Sequence, residues 1–233
     1  MRVRLAQTDS TQRVARELAE EDAPGGTIVV ADAQTAGRGT HGRSWSSPPG
    51  QNLYATAILR PAIPLAQAAL LSLRFAALLA HRLNAVLPGA PLRVKWPNDL
   101  VTVEGKKVAG ILGEMESRDT FIRYVLLGVG LNVNQVAFPP ELPNATSLAI
   151  LNDRSMDREA ILELLCAALS EGPLLPHGLD LWRSLSHTLG RQVRVGEVEG
   201  LAEGLAPDGA LIVGGRRVYS GELWDWDSLP RHG

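Results

Sequence analysis

The stretch from Gln34 to Tyr54, QTAGRGTHGRSWSSPPGQNLY, interleaves Gly37, Gly39 and Gly42 with Arg38 and Arg43 and closes on Trp45. Glycine permits positive φ and close backbone approach, and guanidinium forks match phosphate or carboxylate oxygens, so this composition points to anion binding. Gly37, Gly42, Arg43 and Ser44 fall one residue short of a Walker phosphate loop, with arginine in the lysine position. A Walker loop needs a helix N-terminus behind it, and the prolines and glycine of Ser46-Ser47-Pro48-Pro49-Gly50 prevent one. What remains is a flexible anion-binding loop with an indole able to stack on a base. The plainer alternative is a solvated turn with two surface arginines. The length of the segment, its preceding strand and Trp45 weigh against that.

A second cluster lies in VKWPNDLVTVEGKKVAGILGE, Val94 to Glu114. Lys95, Asn98 and Asp99 flank a rigid Pro97 turn that can aim an amide and a carboxylate into a shared cleft, although an ordinary Asx turn fits the same residues. Gly105 then makes a hairpin. Alternation along the returning strand sends one of Lys106 and Lys107 toward the cleft and the other to solvent.

The elements that must hold these clusters follow from pattern. Asp9 or Ser10 can cap a helix with Val14 and Leu18 on one face, ended by Pro24-Gly25-Gly26. Strands are expected at Thr27–Ala31, Asn52–Leu59, Leu92–Trp96, Lys107–Met115 and Phe121–Val133. A long Ala/Leu-rich helix opens at Pro64 and stops at Pro88-Gly89. Asp157 caps a helix over Arg158–Ser170 with Ile161, Leu164, Leu165 and Leu169 buried, and another spans about Leu179–Leu189. Because strands and helices do not strictly alternate, the pattern predicts a mixed or antiparallel α/β (α+β) sheet flanked by helices. After Gly190 short strands separated by glycine turns suit a small SH3-like barrel, in which Trp224 and Trp226 read as packing residues, with interface anchors the alternative. The expected domains are therefore 1–189 and 190–233.

Composition narrows the class. With 233 residues, 45% hydrophobic and 21% charged, the chain is an ordinary globular protein, and its formal charge of −2 argues against general nucleic-acid or membrane-surface binding. The single cysteine, Cys166, falls in an apolar helical pattern and reads as core filling in a reduced setting. No secretory leader is evident, so a cytoplasmic location is expected. Leu65 to Leu83 is interrupted by Gln67, Ser72, Arg74, His81 and Arg82 and reads as a buried helix rather than a membrane span. The five histidines show no metal-ligand spacing, so no protein-held metal is expected.

Four motifs in order resemble the biotin protein ligases, the biotin–[acetyl-CoA-carboxylase] ligase family: Gln34 to Tyr54, Lys95 to Asp99, KVAGIL at Lys107 to Leu112, and GVGLNVN at Gly128 to Asn134. With DSTQ at Asp9 to Gln12 the resemblance spans almost the whole chain. It implies the fold shared with class II aminoacyl-tRNA synthetases and lipoate ligases. It also implies a reaction in which biotin and MgATP form biotinyl-5′-AMP, from which biotin passes to a lysine of a biotin carboxyl carrier protein. Positioning and electrostatic stabilisation are what such chemistry needs. By resemblance Ser10, Thr11 and Gln12 line the biotin pocket, and Gln34 bonds the ureido head or positions the loop. Arg38, Gly39 and Thr40 close over the carboxylate and α-phosphate. Lys107 is the central cation, and Gly110 lets the strand approach biotin. Arg43 holds the outer phosphates, Trp45 packs at the adenine, and Asn98 and Asn132 line the nucleotide side. Asp99 orients the incoming lysine or the metal.

One departure is visible. Many relatives carry a second arginine where this chain has Thr40, and the missing guanidinium predicts faster escape of biotinyl-AMP unless His41 or a backbone donor substitutes. A lipoate or octanoate ligase is the alternative enzyme, but its RRxxGGGxVxHD-like signature is missing. A biotin-responsive DNA-binding repressor is the alternative of another class. Only eight residues precede Asp9, too few for a recognition module, so a short form without direct operator binding is expected. A homodimer is the working expectation, since family members occur as monomers and dimers.

Overall fold

Ile28–Ala31 (β2) contains no polar residue, and a strand buried on both faces belongs inside a sheet. The computed structural model describes residues 1–87 and 89–225 and places it there. β1 (Arg2–Leu5) runs parallel on one side of β2, and β3 (Leu53–Leu59) antiparallel on the other. With β4 (Arg93–Lys95), β5 (Asp99–Val101), β6 (Lys107–Arg118) and β7 (Phe121–Leu131) they form a seven-stranded sheet of order β1-β2-β3-β7-β6-β5-β4. Only β1 with β2 is parallel, so the sheet is mixed as expected. β6 and β7 form a long hairpin that carries β6 three residues past the expected Met115.

Alternation divides the sheet into two faces. On one, α1 (Thr11–Glu20) packs Ala15 and Ala19 against Val29, Ile58, Tyr124 and Leu126, with Val14 and Leu18 partly buried beside them. On the other, α2 (Ala68–Val86) and α4 (Arg158–Glu171) cover Val30, Ala57, Leu127 and Val129, with the short helices α3 (Leu148–Asn152) and α5 (Gly178–Ser184) at the margin. Leu65–Val86 is long and apolar enough to cross a membrane by composition alone, yet ten residues of α2 are buried within the protein. Asp157 caps α4 as expected, its Oδ1 accepting from Glu159 N at 2.9 Å. Leu164 is only partly buried, while Cys166 fills the core and burial pushes its thiol pKa up.

Two expectations need correction. The helix predicted over Leu179–Leu189 stops at Ser184, because the open edge of β4 has unpaired backbone groups that the next residues satisfy. Val94 N donates to Leu185 O at 2.9 Å, and His187 N donates to Val94 O at 2.8 Å. The small C-terminal sheet follows: β8 (Gln192–Val195), β9 (Val198–Leu205), β10 (Leu211–Val213), β11 (Arg216–Val218) and β12 (Leu223–Asp225), all antiparallel in the order β11-β10-β9-β8-β12. Its form fits the expected SH3-like barrel, but Trp224 is exposed rather than packed inside. This sheet shares one continuous core with the larger one, and Trp96 Nε1 donates to Gly209 O at 3.3 Å across the junction. Pro88, Trp226 and the side chain of His41, all named above, lie outside the described residues.

Candidate active site

The site lies on the α1 face of the sheet, where β6 and β7 lack side chains at paired positions. Gly110 and Gly130 are register partners, and both face the same way by strand alternation. A Cβ on Gly130 would lie 2.3 Å from the Trp45 ring, and one on Gly110 2.8 Å from it. The two glycines therefore make a trough that holds the indole. Gly110, expected to bring the strand against biotin, lines the cavity and also makes room for Trp45. Lys107 Nζ stands 5.4 Å from the ring centroid, within cation–π reach.

The glycine loop is folded by its own backbone. Trp45 N donates to Gly37 O and Gly39 N to Arg43 O, each at 2.8 Å, around a single 3-10 turn at Thr40–Gly42. Gly37 is obligatory, because a Cβ would sit 2.5 Å from Trp45 O. No helix follows Ser44; the next element is β3, so the Walker reading fails in structure as in sequence. Arg43 donates to Thr40 Oγ1 at 3.3 Å and reaches Glu222 of the C-terminal sheet at 2.9 Å. Arg38 pairs with Glu114 of β6 at 3.2 Å. Both guanidinium groups are thus held by carboxylates of the chain itself.

Ser10, Thr11 and Gln12 are buried at the opposite end of the site. The helix cap corrects the sequence reading, because neither Asp9 nor Ser10 bonds the first-turn amides through its side chain. Gln34 does so from the loop: its Oε1 accepts from Thr11 N at 2.8 Å and Thr11 Oγ1 at 3.1 Å. Gln34 Nε2 then donates to Ser47 Oγ at 3.0 Å, and Thr56 Oγ1 to Thr11 Oγ1 at 2.9 Å. Of the two readings for Gln34, this geometry favours loop positioning. Asp9 is bound instead to Arg13, whose guanidinium holds its carboxyl down to about 2.

Lys107 opens β6 with its side chain half-buried, while Lys106 faces solvent, as alternation predicts. Its Nζ lies 2.7 Å from Asp99 Oδ1. Asp99 stands behind the lysine and is the one predicted site residue outside the cavity lining. The cavity, of about 230 Å³, brings together all the others: Ser10, Thr11, Gln12, Gln34, Arg38, Gly39, Thr40, Arg43, Trp45, Asn98, Lys107, Gly110 and Asn132. Asn98 and Asn132 use their amides internally, donating to Ile111 O at 2.8 Å and Thr146 O at 3.0 Å. Phe138, Leu142 and Ala145 also line the cavity and were missed, since a loop without periodicity gives no signal of what it covers. Its course is set by β6, where Lys107 N donates to Asn144 O at 2.6 Å.

The arrangement can hold an acid with a polar head at one end and an anion at the other, with one cation between them. Known proteins resemble the chain that carries it. Residues 5–132 match the biotin/lipoate A/B protein ligase family. The chain is 38% identical to the bifunctional ligase/repressor BirA of Bacillus spizizenii, over 92% of this chain and 70% of that protein. It is 36% identical to the biotin–[acetyl-CoA-carboxylase] ligase of Paracoccus denitrificans, over 91% of this chain and 93% of that one. Among solved structures, the Aquifex aeolicus biotin protein ligase in complex with biotin and ATP superposes with a TM-score of 0.80 at 30% identity, covering 96% of this chain and 97% of the other. The shared fold, the identity to these relatives and the matched region lead to one conclusion: the chain belongs to the biotin/lipoate A/B protein ligase family.

Proposed function

We propose that this protein activates biotin with ATP and transfers it to a lysine of the biotin carboxyl carrier protein of acetyl-CoA carboxylase. In the first step a biotin carboxylate oxygen attacks the α-phosphorus and pyrophosphate leaves. In the second the carrier's lysine amine attacks the acyl carbon, AMP leaves and the amine loses a proton. The observation that carries this reading is Lys107, fixed by Asp99 at 2.7 Å and placed between the buried polar end and the arginine loop. Negative charge gathers between carboxylate and α-phosphate in both steps, and a preoriented cation stabilises it without reorganising.

Ser10, Thr11, Gln12 and Gln34 would form the biotin end, with Gly110 beneath. Arg38, Gly39 and Thr40 would lie over the carboxylate and α-phosphate, and Arg43, Trp45, Asn98 and Asn132 on the nucleotide side. Arg38 and Arg43 would exchange Glu114 and Glu222 for substrate anions. Asp99 acts in this scheme as a positioning residue for Lys107. Magnesium fits as the nucleotide's companion: no group of three acidic, His or Cys side chains able to hold it was found among the described residues, so phosphate oxygens would supply most ligands. There it would neutralise phosphate charge. A homodimer, a cytoplasmic setting, no direct action on nucleic acid or membrane, and a domain boundary near Leu189 complete the proposal. The near-neutral charge and single buried cysteine support the setting.

Biotin-dependent ATP–pyrophosphate exchange tests it. Wild type should exchange with biotin and not with lipoate, and Lys107→Ala should lose about 10²- to 10³-fold while keeping its melting temperature. Exchange with lipoate alone would favour the other branch of the family, and none with either acid would refute the activity.

A further inference from the structure

Glu114 has no role in the scheme so far except as a partner for Arg38, yet it gathers three donors. Its Oε1 lies 3.2 Å from Arg38, and its Oε2 lies 3.0 Å from Arg16 and accepts from Gln12 Nε2 at 3.2 Å. The carboxylate is mostly buried, its side chain 20% exposed. A carboxylate only accepts, so Gln12 must turn its NH₂ toward it. The other neighbour of that nitrogen, Leu112 O at 3.4 Å, is an acceptor as well. The amide's orientation is therefore dictated by its surroundings. Its carbonyl Oε1 is left buried with no partner, beside Gly128, and both Gln12 and Gly128 line the cavity. A buried acceptor without a donor is costly, and a ligand N–H is the natural remedy.

We propose that Glu114 is a specificity-positioning residue. It holds the Gln12 amide with its oxygen available to an N–H of the acid's head group, and it ties Arg38 across the rim. The inference rests on the reading of this cavity as the acid pocket. It selects acids whose head carries an N–H, as the ureido rings of biotin and desthiobiotin do and the dithiolane of lipoate does not. Replacing Glu114 by glutamine keeps the shape but offers Gln12 a donor as well as an acceptor, which leaves only the longer contact to Leu112 O at 3.4 Å to orient the amide.

The test is direct titration of biotin and desthiobiotin without ATP, on wild type, Glu114→Gln, Gln12→Ala and the double variant, alongside steady-state exchange. Glu114→Gln should weaken both ligands roughly tenfold. The KM for biotin should rise by a similar factor while the KM for ATP stays within about twofold, a split that general damage to the fold does not give. If Glu114 acts through Gln12, the double variant should bind no more weakly than Gln12→Ala alone. Unchanged biotin binding in Glu114→Gln, a parallel rise in KM for ATP, or fully additive losses would each overturn the proposal. Wild type that binds biotin without exchanging pyrophosphate would refute the catalytic reading and leave this one to be decided by the binding ratio. Wild type that binds no biotin would overturn both.

Discussion

The two ends of the cavity are built on different physics. At the α1 end, Thr11, Thr56, Gln34 and Ser47 bond one another in a network whose threonines are almost fully buried. At the loop end, Arg38 and Arg43 are each 54% exposed and are held by single carboxylates from other elements. A buried donor left without its acceptor costs about 1–3 kcal/mol, whereas an exposed ion pair contributes about 0–1 kcal/mol. The first end is thus finished before any ligand arrives. The second is provisional: Arg43 can leave the exposed Glu222 at little cost, and a departing Arg38 leaves Glu114 with Arg16 and Gln12 still on its carboxylate. An enzyme that must grip a small acid firmly and release two different anions, pyrophosphate and then AMP, has use for both.

The sharpest way to break this contrast is Gln34→Ala. It removes the acceptor of both Thr11 donors at once, so a loss of about 2–3 kcal/mol is expected, equivalent to about 4–12 °C in melting temperature for a chain of this size. Biotin binding should fall with it, measured by thermal unfolding and titration on the same sample. A melting temperature within 1 °C of wild type would mean that the α1 end is no more prebuilt than the loop. Gly130→Ala comes next and probes the provisional end. The new methyl cannot coexist with the indole 2.3 Å away, so Trp45 must move. Overpacking of this kind costs about 1–3 kcal/mol, and because the ring lies in a half-exposed loop most of it should appear as a higher KM for ATP. Quenching or shift of Trp45 fluorescence would report the displacement, and an unchanged KM would detach the indole from nucleotide binding.

The same contrast explains what could be read without coordinates. Helices and long strands were legible because period and caps are local, as Asp157 shows for α4. The cap of α1 was not, since the acceptor for Thr11 N comes from Gln34, 23 residues on. β1 was overlooked although Arg2, Val3, Arg4 and Leu5 alternate, because four residues at a chain start gain their place only by pairing with β2. β5 is three residues long and hidden in what reads as an Asx turn. The residues that come to line the cavity were legible where glycine, arginine and lysine sit in one run, and Lys106 and Lys107 separate as alternation requires. Glu114 and Phe138 were not, because a strand carboxylate or a loop aromatic becomes informative only when the chain folds something against it.

The smallest expected effect lies at Thr40, and it asks whether the provisional end is tuned. Thr40 stands where a second guanidinium was expected, and the structure gives it work: its Oγ1 and its carbonyl accept from Arg43 at 3.3 and 3.4 Å. Thr40→Arg therefore makes two opposed changes, adding a cation near the proposed adenylate site and removing one of the two Thr40 atoms that, with Glu222, steady Arg43. An added charge-assisted bond should slow escape of biotinyl-AMP several-fold, with a stability change within about 0.5 kcal/mol because the position is on a surface loop. Rapid-quench measurement of free adenylate in the absence of carrier decides between the terms. Slower release with an unchanged KM for ATP means the guanidinium dominates and the wild-type loop is built to let go. Equal release with a raised KM for ATP means the hydroxyl anchoring Arg43 is what matters, and the departure from the family's arginine is then compensated within the loop itself.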